Sequence, residues 1–426
     1  MQRHYASLTA ALAALGTTIA LTGCGTSTGS SGDVTLTLIA ADYDVNGGQS
    51  SKTYWDNLAK DFESKHEGID VRVTIEPWTG IDRKVAQLVK EGKEPDIAQI
   101  GPYADYAAGD KLYSADQLLS IPVQSNFLRP LADAGEQRRV QYGLPFTAST
   151  RVLFYNKKLF AGAGVENPPT TWDELRSAAE QLKDAGVSYP YALPLGPEEA
   201  QIETMMWLLG GDSNGFVEPG GSYSIDSEEN RETLEWVRSN LVEPGLVGPV
   251  PPSKLNRKQA FAAFTKGEVG MLNGHPSLLK EAEKAGIELG KVPVPGKKGK
   301  PKAAVGVADW IMGFKKREHR EEIGKFFNFL FTDKNVLDFA SQNDLLPPTV
   351  TASEAMEQDP DHADLKEFLV ELPTSLLPPV NKTSWGTVSE EIRANVGRAV
   401  EPGGSPAKVL GDIAQKAQDA EAQEEE

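Results

Sequence analysis

Cysteine is almost absent from this sequence, since the 426 residues contain one, Cys24. A single thiol excludes an intramolecular disulfide, so no covalent cross-link stabilises the fold. The five histidines, at positions 4, 66, 275, 319 and 362, show none of the spacings that metal sites use. The sequence also lacks the H-E-x-x-H and Walker A motifs. These absences argue against zinc proteases and P-loop nucleotide enzymes, and we expect no metal site.

Long hydrophobic runs are also scarce, and the clearest is the uncharged segment Leu8–Leu21, which follows Arg3 and His4. It is shorter than the roughly 20 residues that a membrane-spanning helix needs. A basic start, a short apolar run and small residues after it are typical of a secretory signal peptide, here residues 1–23. The alternative is a buried N-terminal helix with an incidental cysteine. The polar segment that follows, residues 24–32, cannot continue such a helix and is typical of a flexible linker.

The four residues Leu21–Cys24 resemble a bacterial lipobox, in which the cysteine becomes the lipidated N-terminus. Acyl chains attach a protein to a membrane without a spanning segment. We therefore predict that Cys24 is a lipidation site and that the protein is lipid-anchored at the extracytoplasmic face of the cell membrane.

Basic residues are outnumbered, with 43 Lys and Arg against 61 Asp and Glu, which gives a net charge of −18. This balance argues against nucleic acid and anionic membrane surfaces as partners. The acidic end, residues 421–426, is most simply a solvated tail. About 390 residues follow the linker, and because single cores stop growing near 250–300 residues, this length favours at least two lobes.

Strand and helix patterns alternate along the first hundred residues of this region. Apolar residues alternate with polar ones in Val34–Leu38 and in Ile69–Ile75, and they have helical spacing in Trp55–Phe62 and Ile81–Val89. A short strand is predicted after Pro95. The order βαβαβ predicts an α/β fold with parallel strands and crossover helices. Ligands of such sheets bind beyond the carboxyl ends of the strands.

Five segments, in order, carry a family resemblance: "PDIAQIGPYADYAAGDKL", "YGLPFTASTRVLFYNKKLF", "PPTTWDELRSAAEQL", "AAFTKGEVGMLNGHP" and "KFFNFLFTDKNVLDFASQNDLLPP". With the lipobox before them, they resemble the extracellular solute-binding lipoproteins of carbohydrate ABC importers, which are similar to maltose-binding protein. The resemblance implies a periplasmic-binding-protein-like fold of two lobes, each a mainly parallel sheet flanked by helices, with the ligand in the cleft between them. It also implies a monomer that binds a sugar or oligosaccharide, delivers it to the permease subunits of an ABC transporter, and uses no cofactor or catalysis.

The same resemblance implies how the chain is divided. The first lobe comprises residues 33–146 and 306–346, and the second comprises residues 147–305 and 347–426, so that the chain crosses between lobes three times. We expect such lobes to hinge about these crossings.

The loop after the first strand resembles a calcium site in part. Asp42, Asp44, Asn46 and Gly47 match its positions 1, 3, 5 and 6, but position 12 is Thr53 instead of a bidentate glutamate. A polar loop that turns the chain is the simpler interpretation. In the functional interpretation, Asp42 and Asp44 offer carboxylates to ligand hydroxyls at the mouth of the cleft.

Sugar binding needs planar polar groups for the hydroxyls and aromatic rings for the C–H faces. Trp55, Trp172 and Trp236 have helical spacing with other apolar residues and are predicted to be core. Four tryptophans near turns or element ends are open to either role: Trp78, Trp207, Trp310 and Trp385. The resemblance favours Trp310 and Trp385 as ligand contacts, because their surrounding motifs match family positions that face the cleft.

Polar candidates lie in the loops. Asp105 follows a predicted strand, with Tyr103 beside it as a further aromatic platform, and a solvated loop is the alternative. Asp309, beside Trp310, is a carboxylate candidate. Glu198, next to Glu199, is also a candidate, although acidic residues are favourable at a helix start in any case.

The resemblance adds three neighbouring residues at the first crossing, Ser149, Thr150 and Arg151, where family members commonly reach the ligand. Arg151 could instead pair with a structural carboxylate. The family often has a tryptophan near "HP" in "MLNGHP", and this sequence departs there, so His275 is a candidate whose alternative is a structural histidine.

Two other functions stay open at this stage. Two carboxylates across a cleft could hydrolyse a glycoside, and a surface adhesin could use the same cleft without transport.

Overall fold

The computed structural model describes residues 34–43 and 50–425 of the chain, in which eleven strands and eighteen α-helices are found. The strands are β1 (Val34–Asp42), β2 (Ile69–Pro77), β3 (Ile97–Ile100), β4 (Glu136–Gln137), β5 (Val140–Gln141), β6 (Leu144–Thr150), β7 (Val152–Asn156), β8 (Tyr189–Tyr191), β9 (Val269–Gly274), β10 (Leu289–Val292) and β11 (Gly306–Gly313).

The helices alternate with these strands and then dominate the C-terminal third. They are α1 (Ser50–Glu63), α2 (Trp78–Lys90), α3 (Ala104–Ala108), α4 (Ala115–Leu118), α5 (Ile121–Ser125), α6 (Arg129–Ala134), α7 (Lys157–Ala163), α8 (Trp172–Asp184), α9 (Ala200–Gly210), α10 (Glu228–Val237), α11 (Arg257–Thr265), α12 (Ser277–Lys284), α13 (Arg320–Leu330), α14 (Asp333–Asn343), α15 (Val350–Gln358), α16 (Lys366–Glu371), α17 (Trp385–Asn395) and α18 (Pro406–Glu425).

Two separate sheets organise the molecule. The first has the strand order β2-β1-β3-β11-β6 and the second the order β10-β7-β9-β8. We call each sheet, with the helices packed on it, the first lobe and the second lobe. The α/β class and the two-sheet architecture predicted from the sequence are therefore present in the structure.

The sheets are mixed, however, where the sequence predicted mainly parallel ones. In the first lobe β1 pairs in parallel with β2 and β3, but β11 runs antiparallel to both β3 and β6. In the second lobe β8 and β9 are parallel, whereas β7 is antiparallel to β9 and β10. The chain leaves the first lobe along β6 and returns along β11 at the same edge, so the returning strand has to run in the opposite direction.

The chain passes between the two sheets at three places. The expected first boundary, 146/147, falls inside β6, which stays paired with β11 as far as Thr150 opposite Gly306, so the chain changes sheets at Arg151. The return begins at Gly306, the first residue of β11. The third crossing is spread over α15 and α16, because Ala352 still packs in the first-lobe core while Phe368 contacts Phe154 of the second lobe.

Local sequence explains several of these elements. The alternating residues of Ile69–Ile75 form β2, and the residues with helical spacing, Trp55 to Phe62, are the buried side of α1. Thr171 and Glu174 form the predicted capping box of α8, with each side chain accepting a hydrogen bond from the other residue's backbone N–H at 3.2 Å. Gly186 ends this helix at φ +82°, a conformation that suits glycine.

Each lobe has an aromatic core. In the first, Trp55 stacks on Phe146 with ring centroids 5.2 Å apart. In the second, Trp172 packs 4.8 Å from Trp236 and 5.5 Å from Trp207. The predicted core tryptophans Trp55 and Trp172 are fully or almost fully buried, and Trp236 is half-buried. Among the described helices, none is long and apolar enough to cross a membrane.

Candidate functional site

The topology brings the ends of three first-lobe strands to one edge of the first sheet. β1 and β3 are parallel, so their carboxyl ends lie at the same edge. β11 is antiparallel to β3, with Trp310 opposite Ile100, and its first residues therefore lie at that edge too. This first-lobe edge carries Tyr43, Trp78, Asp82 and Asp309.

The second lobe presents a matching edge. β8 and β9 end there, and β7 begins there, since Val152 lies opposite Gly274 at the end of β9. Arg151 links the two edges: it follows Thr150 of β6, which is paired with the first residue of β11. The two edges thus face each other beside this crossing, and we call the region between them the interlobe cleft.

A chain of hydrogen bonds fixes the carboxylate of the first wall. The amide of Gln99 accepts from the backbone N–H of Ala41 at 2.8 Å and donates to the hydroxyl of Tyr43 at 2.9 Å. Tyr43 in turn donates to Oδ2 of Asp309 at 2.8 Å. Gln99 is fully buried, so a rigid group of the sheet holds Asp309 in place.

A second carboxylate lies near the first. Asp82, on α2, accepts a hydrogen bond from the backbone N–H of Gly101 at 3.2 Å. Burial raises the pKa of Asp309 to about 6; the hydrogen bond from Tyr43 and the charge of Arg151 oppose this shift, whereas the charge of Asp82 adds to it. Burial likewise raises the pKa of Asp82. Both carboxyl groups are half-buried, and the charge of Arg151, on the other side of the cleft, acts on Asp309.

The second wall consists of two arginines and two glutamates that alternate. A guanidinium nitrogen of Arg151 lies 2.5 Å from Oε1 of Glu199, and Nε of Arg257 lies 2.9 Å from Oε2 of the same side chain. Arg257 also reaches Oε2 of Glu203 at 2.8 Å. Arg151, Arg257 and Glu203 are almost completely buried, whereas the side chain of Glu199 is 21% exposed. Glu199 is therefore the member of this buried ion-pair network that remains accessible.

The inner end of the network is fixed by further hydrogen bonds. Oε1 of Glu203 accepts from the hydroxyl of Tyr191 and from the indole N–H of Trp207, both at 3.1 Å. The side-chain amide of Asn273 donates to the same oxygen at 3.3 Å. Glu203 lies on α9, Tyr191 ends β8 and Asn273 is on β9, so the network ties the helix to two strands of the sheet.

Burial and the charges of the network shift the pKa values of Glu199 and His275. Burial by itself would raise the pKa of Glu199, but Arg151 and Arg257 lower it to about 2. His275, which follows β9, has its pKa lowered to about 3 by burial and by the nearby Arg151. Near neutral pH Glu199 is therefore ionised between the two arginines, and the imidazole of His275 beside them is uncharged.

Trp78 and Trp385 each begin a helix; Trp78 lies at the first-lobe edge, whereas Trp385 packs in the second-lobe core. Trp78 is half-buried at the start of α2 and packs edge-to-face on Tyr43, with centroids 5.5 Å apart. Trp385 begins α17, is 9% exposed and lies 5.6 Å from the ring of Phe216.

Three other predicted platforms are core residues in the structure, which corrects the sequence prediction. Tyr103 and Trp310 are 0% and 1% exposed and pack against each other at 5.3 Å. They fill the space beside Gly143, where a Cβ atom would lie 2.8 Å from Tyr103 and 3.0 Å from Trp310. Trp207 is 4% exposed and donates its indole N–H to Glu203. Buried rings of this kind offer no face to a ligand.

The structure also separates the three neighbouring candidates at the first crossing. Thr150 is completely buried and donates to the backbone carbonyl of Phe368 at 3.1 Å, so it anchors the crossing. Ser149 is 9% exposed and accepts a hydrogen bond from Arg151 at 2.9 Å. The alternative considered for Arg151, a structural ion pair, is present with Glu199.

The remaining candidates differ in exposure. Asp42 is half-buried at the end of β1, and Asp105 is exposed on α3. Glu198 is exposed and accepts from the backbone N–H of Lys258 at 3.1 Å, whereas its neighbour Glu199 enters the ion-pair network. Asp44 and Cys24 lie outside the described residues.

Sequence reasoning did not select five residues that build the walls: Tyr43, Asp82, Gln99, Glu203 and Arg257. Asp82, Glu203 and Arg257 occur in helices, where an exposed charge is the ordinary case. Gln99 lies inside an apolar strand, and this is the one signal that could have been used, because a buried amide needs hydrogen-bond partners.

Comparison with known proteins was made for both sequence and structure. The family model described as "Bacterial extracellular solute-binding protein" matches residues 47–336. A Brucella abortus (strain 2308) protein that carries the name of a binding protein is 28% identical over 405 residues, which are 92% of this chain and 94% of that one. The sn-glycerol-3-phosphate-binding periplasmic protein UgpB of Salmonella typhimurium is 29% identical over 223 residues, 49% of each chain.

Among solved structures, the cyclic alpha-maltosyl-1,6-maltose binding protein from Arthrobacter globiformis superimposes with a TM-score of 0.77 at 20% identity. The superposition covers 91% of this chain and 99% of the other. At this level of identity the similarity concerns the fold.

Proposed function

Because this chain belongs to the bacterial extracellular solute-binding protein family, we propose that its interlobe cleft captures a sugar or oligosaccharide and that the loaded protein delivers it to an ABC transporter permease. Capture of a solute for such an importer is the activity of the family. The nature of the solute and the residues that hold it are inferred from the cleft.

One observation carries the proposal. Two rigid polar groups, held by different sheets, are turned toward the same cleft: Asp309 with Tyr43 from the first lobe, and Arg151 with Glu199 from the second. Carboxylates and guanidinium groups that are already positioned can bind ligand hydroxyls with little loss of side-chain freedom. A ligand that touches both groups bridges the two lobes.

The charges of the cleft favour an uncharged sugar over a phosphate ester. Both arginines of the second wall are paired with glutamates, and the first wall adds the carboxylates of Asp82 and Asp309. A phosphate would meet repulsion from the first wall and would have to displace Glu199 from its pairs with the two arginines of the second. Sugar hydroxyls can donate to these carboxylates without either penalty. For this reason we do not assign the ligand named for UgpB to this chain.

For the C–H faces of the sugar rings, we propose Trp78 and Trp385. Both occur at the start of a helix, and neither ring is enclosed as completely as those of Trp207 and Trp310. Ser149, Asp42, Asp44, Asp105, Glu198 and His275 remain proposed polar contacts of the ligand.

The proposal can be tested by thermal-shift screening and calorimetry of the purified protein. The panel contains neutral mono- and oligosaccharides, with glucose 6-phosphate and sn-glycerol 3-phosphate as charged controls. We expect a neutral sugar to raise the melting temperature and to bind reversibly, and neither phosphate to do so. Binding of a phosphate with higher affinity than any neutral sugar would contradict the assignment.

Two further experiments separate this function from that of a glycosidase and that of an adhesin. Recovery of the bound sugar unchanged after prolonged incubation excludes a glycosidase, whereas shorter products would favour it. The segment Gly211–Gly215 has the G-x-S-x-G spacing of many hydrolases, but it follows α9 instead of a strand, and Ser213 donates to Asn230 at 2.6 Å. An adhesin would bind sugar normally, but its deletion would leave sugar uptake by the cells unchanged.

We also propose that Cys24 anchors the protein by a lipid at the outer face of the cytoplasmic membrane and that the protein acts as a monomer. The sequence Leu21–Cys24 and the polar linker after it support the anchor. The variant Cys24→Ser should move from the membrane fraction to the soluble fraction and lose a lipid mass adduct. A wild-type protein that is already soluble and has no adduct would contradict the anchor.

A further inference from the structure

The hairpin formed by β4 and β5 turns through two adjacent arginines. The last pair of its ladder is Gln137 opposite Val140, so the loop consists of Arg138 and Arg139 alone. Both have a left-handed backbone, with φ +52° for Arg138 and +65° for Arg139. Two-residue loops with positive φ at both positions normally carry Asn-Gly or Asp-Gly, because other side chains are strained there. This turn therefore keeps two arginines against the local preference of the backbone.

Contacts within the described part of the chain do not account for these arginines. Both side chains are exposed, and among residues 34–43 and 50–425 neither forms an ion pair, a hydrogen bond or a ring contact. The next side chain, Val140, is 38% exposed. Backbone strain that no internal contact explains is typical of functional sites. The hairpin tip, Arg138–Val140, thus offers two guanidinium groups and an apolar side chain to the solvent.

The base of the hairpin is fixed to the first lobe. The backbone carbonyl of Gly135 accepts hydrogen bonds from the N–H groups of Tyr142 and Gly143, at 3.0 and 3.1 Å. The side-chain amide of Gln137 donates to the carbonyl of Ala104, at the start of α3, at 3.2 Å. A tip on a fixed base loses little conformational freedom when a partner binds.

The charge of the tip indicates the chemistry of its partner. The whole chain has a net charge of −18, so two adjacent unpaired arginines are a local exception. Guanidinium groups bind carboxylates through paired hydrogen bonds, and arginine is enriched at the centres of protein interfaces. A partner surface with carboxylate groups therefore fits the tip.

The position of the hairpin favours a protein over membrane lipid as this partner. Its base lies beside α3, which follows the carboxyl end of β3 at the first-lobe edge. Val34, the first described residue after the proposed lipidation site Cys24, begins β1 at the opposite edge of the same sheet, because β1 and β3 are parallel. The base of the hairpin and the start of β1 thus lie at opposite edges of the sheet.

We infer that the tip Arg138–Val140 docks on an acidic segment of a partner protein, and that this segment belongs to the extracytoplasmic surface of the permease. The inference rests on the proposed function and names a surface that delivery of the sugar would use. None of the three tip residues belongs to the walls of the interlobe cleft, so docking through the tip leaves the sugar contacts in place.

The test uses cells that lack the chromosomal gene and carry the full-length chain or a variant. Uptake of the sugar identified by the thermal-shift screen is measured with radiolabelled sugar. The variant Arg138→Asn/Arg139→Gly removes both charges and supplies the residues that the turn prefers. The control, Lys60→Gln/Arg72→Asn, removes two exposed charges of α1 and β2 in the same lobe.

We expect Arg138→Asn/Arg139→Gly to lower uptake by about fivefold or more, since it removes both guanidinium groups of the interface. It should bind the sugar with wild-type affinity and unfold at a higher urea concentration than the wild type, because the strain of the turn is relieved. The control should take up sugar as the wild type does.

Two outcomes would overturn the docking site and leave the proposed function standing. One is unchanged uptake in Arg138→Asn/Arg139→Gly. The other is a loss of uptake accompanied by lower stability or weaker sugar binding, because a structural role would then explain the loss. Uptake that does not depend on the wild-type gene would overturn the proposed function as well.

A lipid partner is tested with vesicles of phosphatidylglycerol and phosphatidylcholine in equal parts. Cys24→Ser is introduced into the wild type and into Arg138→Asn/Arg139→Gly, so that no acyl chain contributes to binding. We expect neither protein to sediment with the vesicles. Sedimentation that requires the two arginines would assign the tip to the membrane and overturn the permease as its partner.

Discussion

The ion pair between Glu203 and Arg257 offers the sharpest test of the forces in the second lobe. Glu203 is completely buried and its two oxygens accept four hydrogen bonds, from Arg257, Tyr191, Trp207 and Asn273. The variant Glu203→Gln keeps the shape and removes the charge. It leaves Arg257 buried with one carboxylate instead of two, and it turns an amide N–H₂ or an uncharged oxygen toward a guanidinium.

Removal of one partner from a buried ion pair costs about 3–5 kcal/mol. The free energy of unfolding of a typical domain is about 5–15 kcal/mol, so this is a large part of the total. The matched control is Glu243→Gln, whose carboxylate pairs with Arg238 at the surface and is 42% exposed. Exposed pairs contribute about 0–1 kcal/mol.

The assay is urea unfolding near neutral pH, followed by tryptophan fluorescence. Trp207 donates to Glu203, and Trp172, Trp236 and Trp385 pack in the same lobe, so a large part of the signal comes from the lobe that is changed. We expect the midpoint for Glu203→Gln to fall by roughly 1–2 M urea and that for Glu243→Gln to move by much less. Equal, small shifts in both variants would refute the reasoning, because Glu203 would then not compensate a buried charge. The double variant with Arg257→Met should be less destabilised than the sum of the single variants.

Three further predictions concern the cleft. Burial raises the pKa of Asp309 from 3.8 to about 6, so the stability that its protonated form contributes is present below pH 3.8 and is lost as the pH rises through about 6. Asp309→Asn should therefore stabilise the sugar-free protein by roughly 1–2 kcal/mol near neutral pH, have little effect on stability in acid, and weaken sugar binding. A change in stability that is independent of pH would contradict this. Trp385→Ala should weaken sugar binding by about 1 kcal/mol, whereas Trp172→Ala should lower stability and leave the affinity of the folded fraction unchanged; equal affinity of Trp385→Ala and wild type would remove that ring from the site. Saturating sugar should reduce the radius of gyration in small-angle scattering as the lobes close, and an unchanged value would favour a static binder.

The sequence was sufficient for the local elements of the fold. The predicted strand Ile69–Ile75 and helical face Trp55–Phe62 are present because a period of 2 or 3.6 residues is a property of the segment itself. The direction of β11 could not be read in this way. It depends on where the chain re-enters the first lobe after about 150 residues in the second, and this is a property of the whole topology.

The site was harder to predict for a related reason. Asp309 and Trp310 are neighbours in β11 and were chosen together, but Asp309 lies at the cleft edge while Trp310 is buried against Tyr103. Glu203 and Arg257 are 54 residues apart and look like surface charges of two helices. Only the tertiary structure brings them together, so no local pattern reveals that each neutralises the other.

The position of β11 has a consequence for how the protein forms after synthesis or export. β11 lies between β3 and β6 in the first sheet, but more than 150 residues separate it from β6 in the chain. Until Gly306–Gly313 has emerged, β3 and β6 have no common partner and each keeps an open hydrogen-bonding edge. The second sheet, by contrast, is complete at Val292. A chain that appears from its N-terminus can therefore finish the sheet of its second lobe while the first still lacks an interior strand, and this delayed closure of a long loop is the step that we expect to limit the rate of folding.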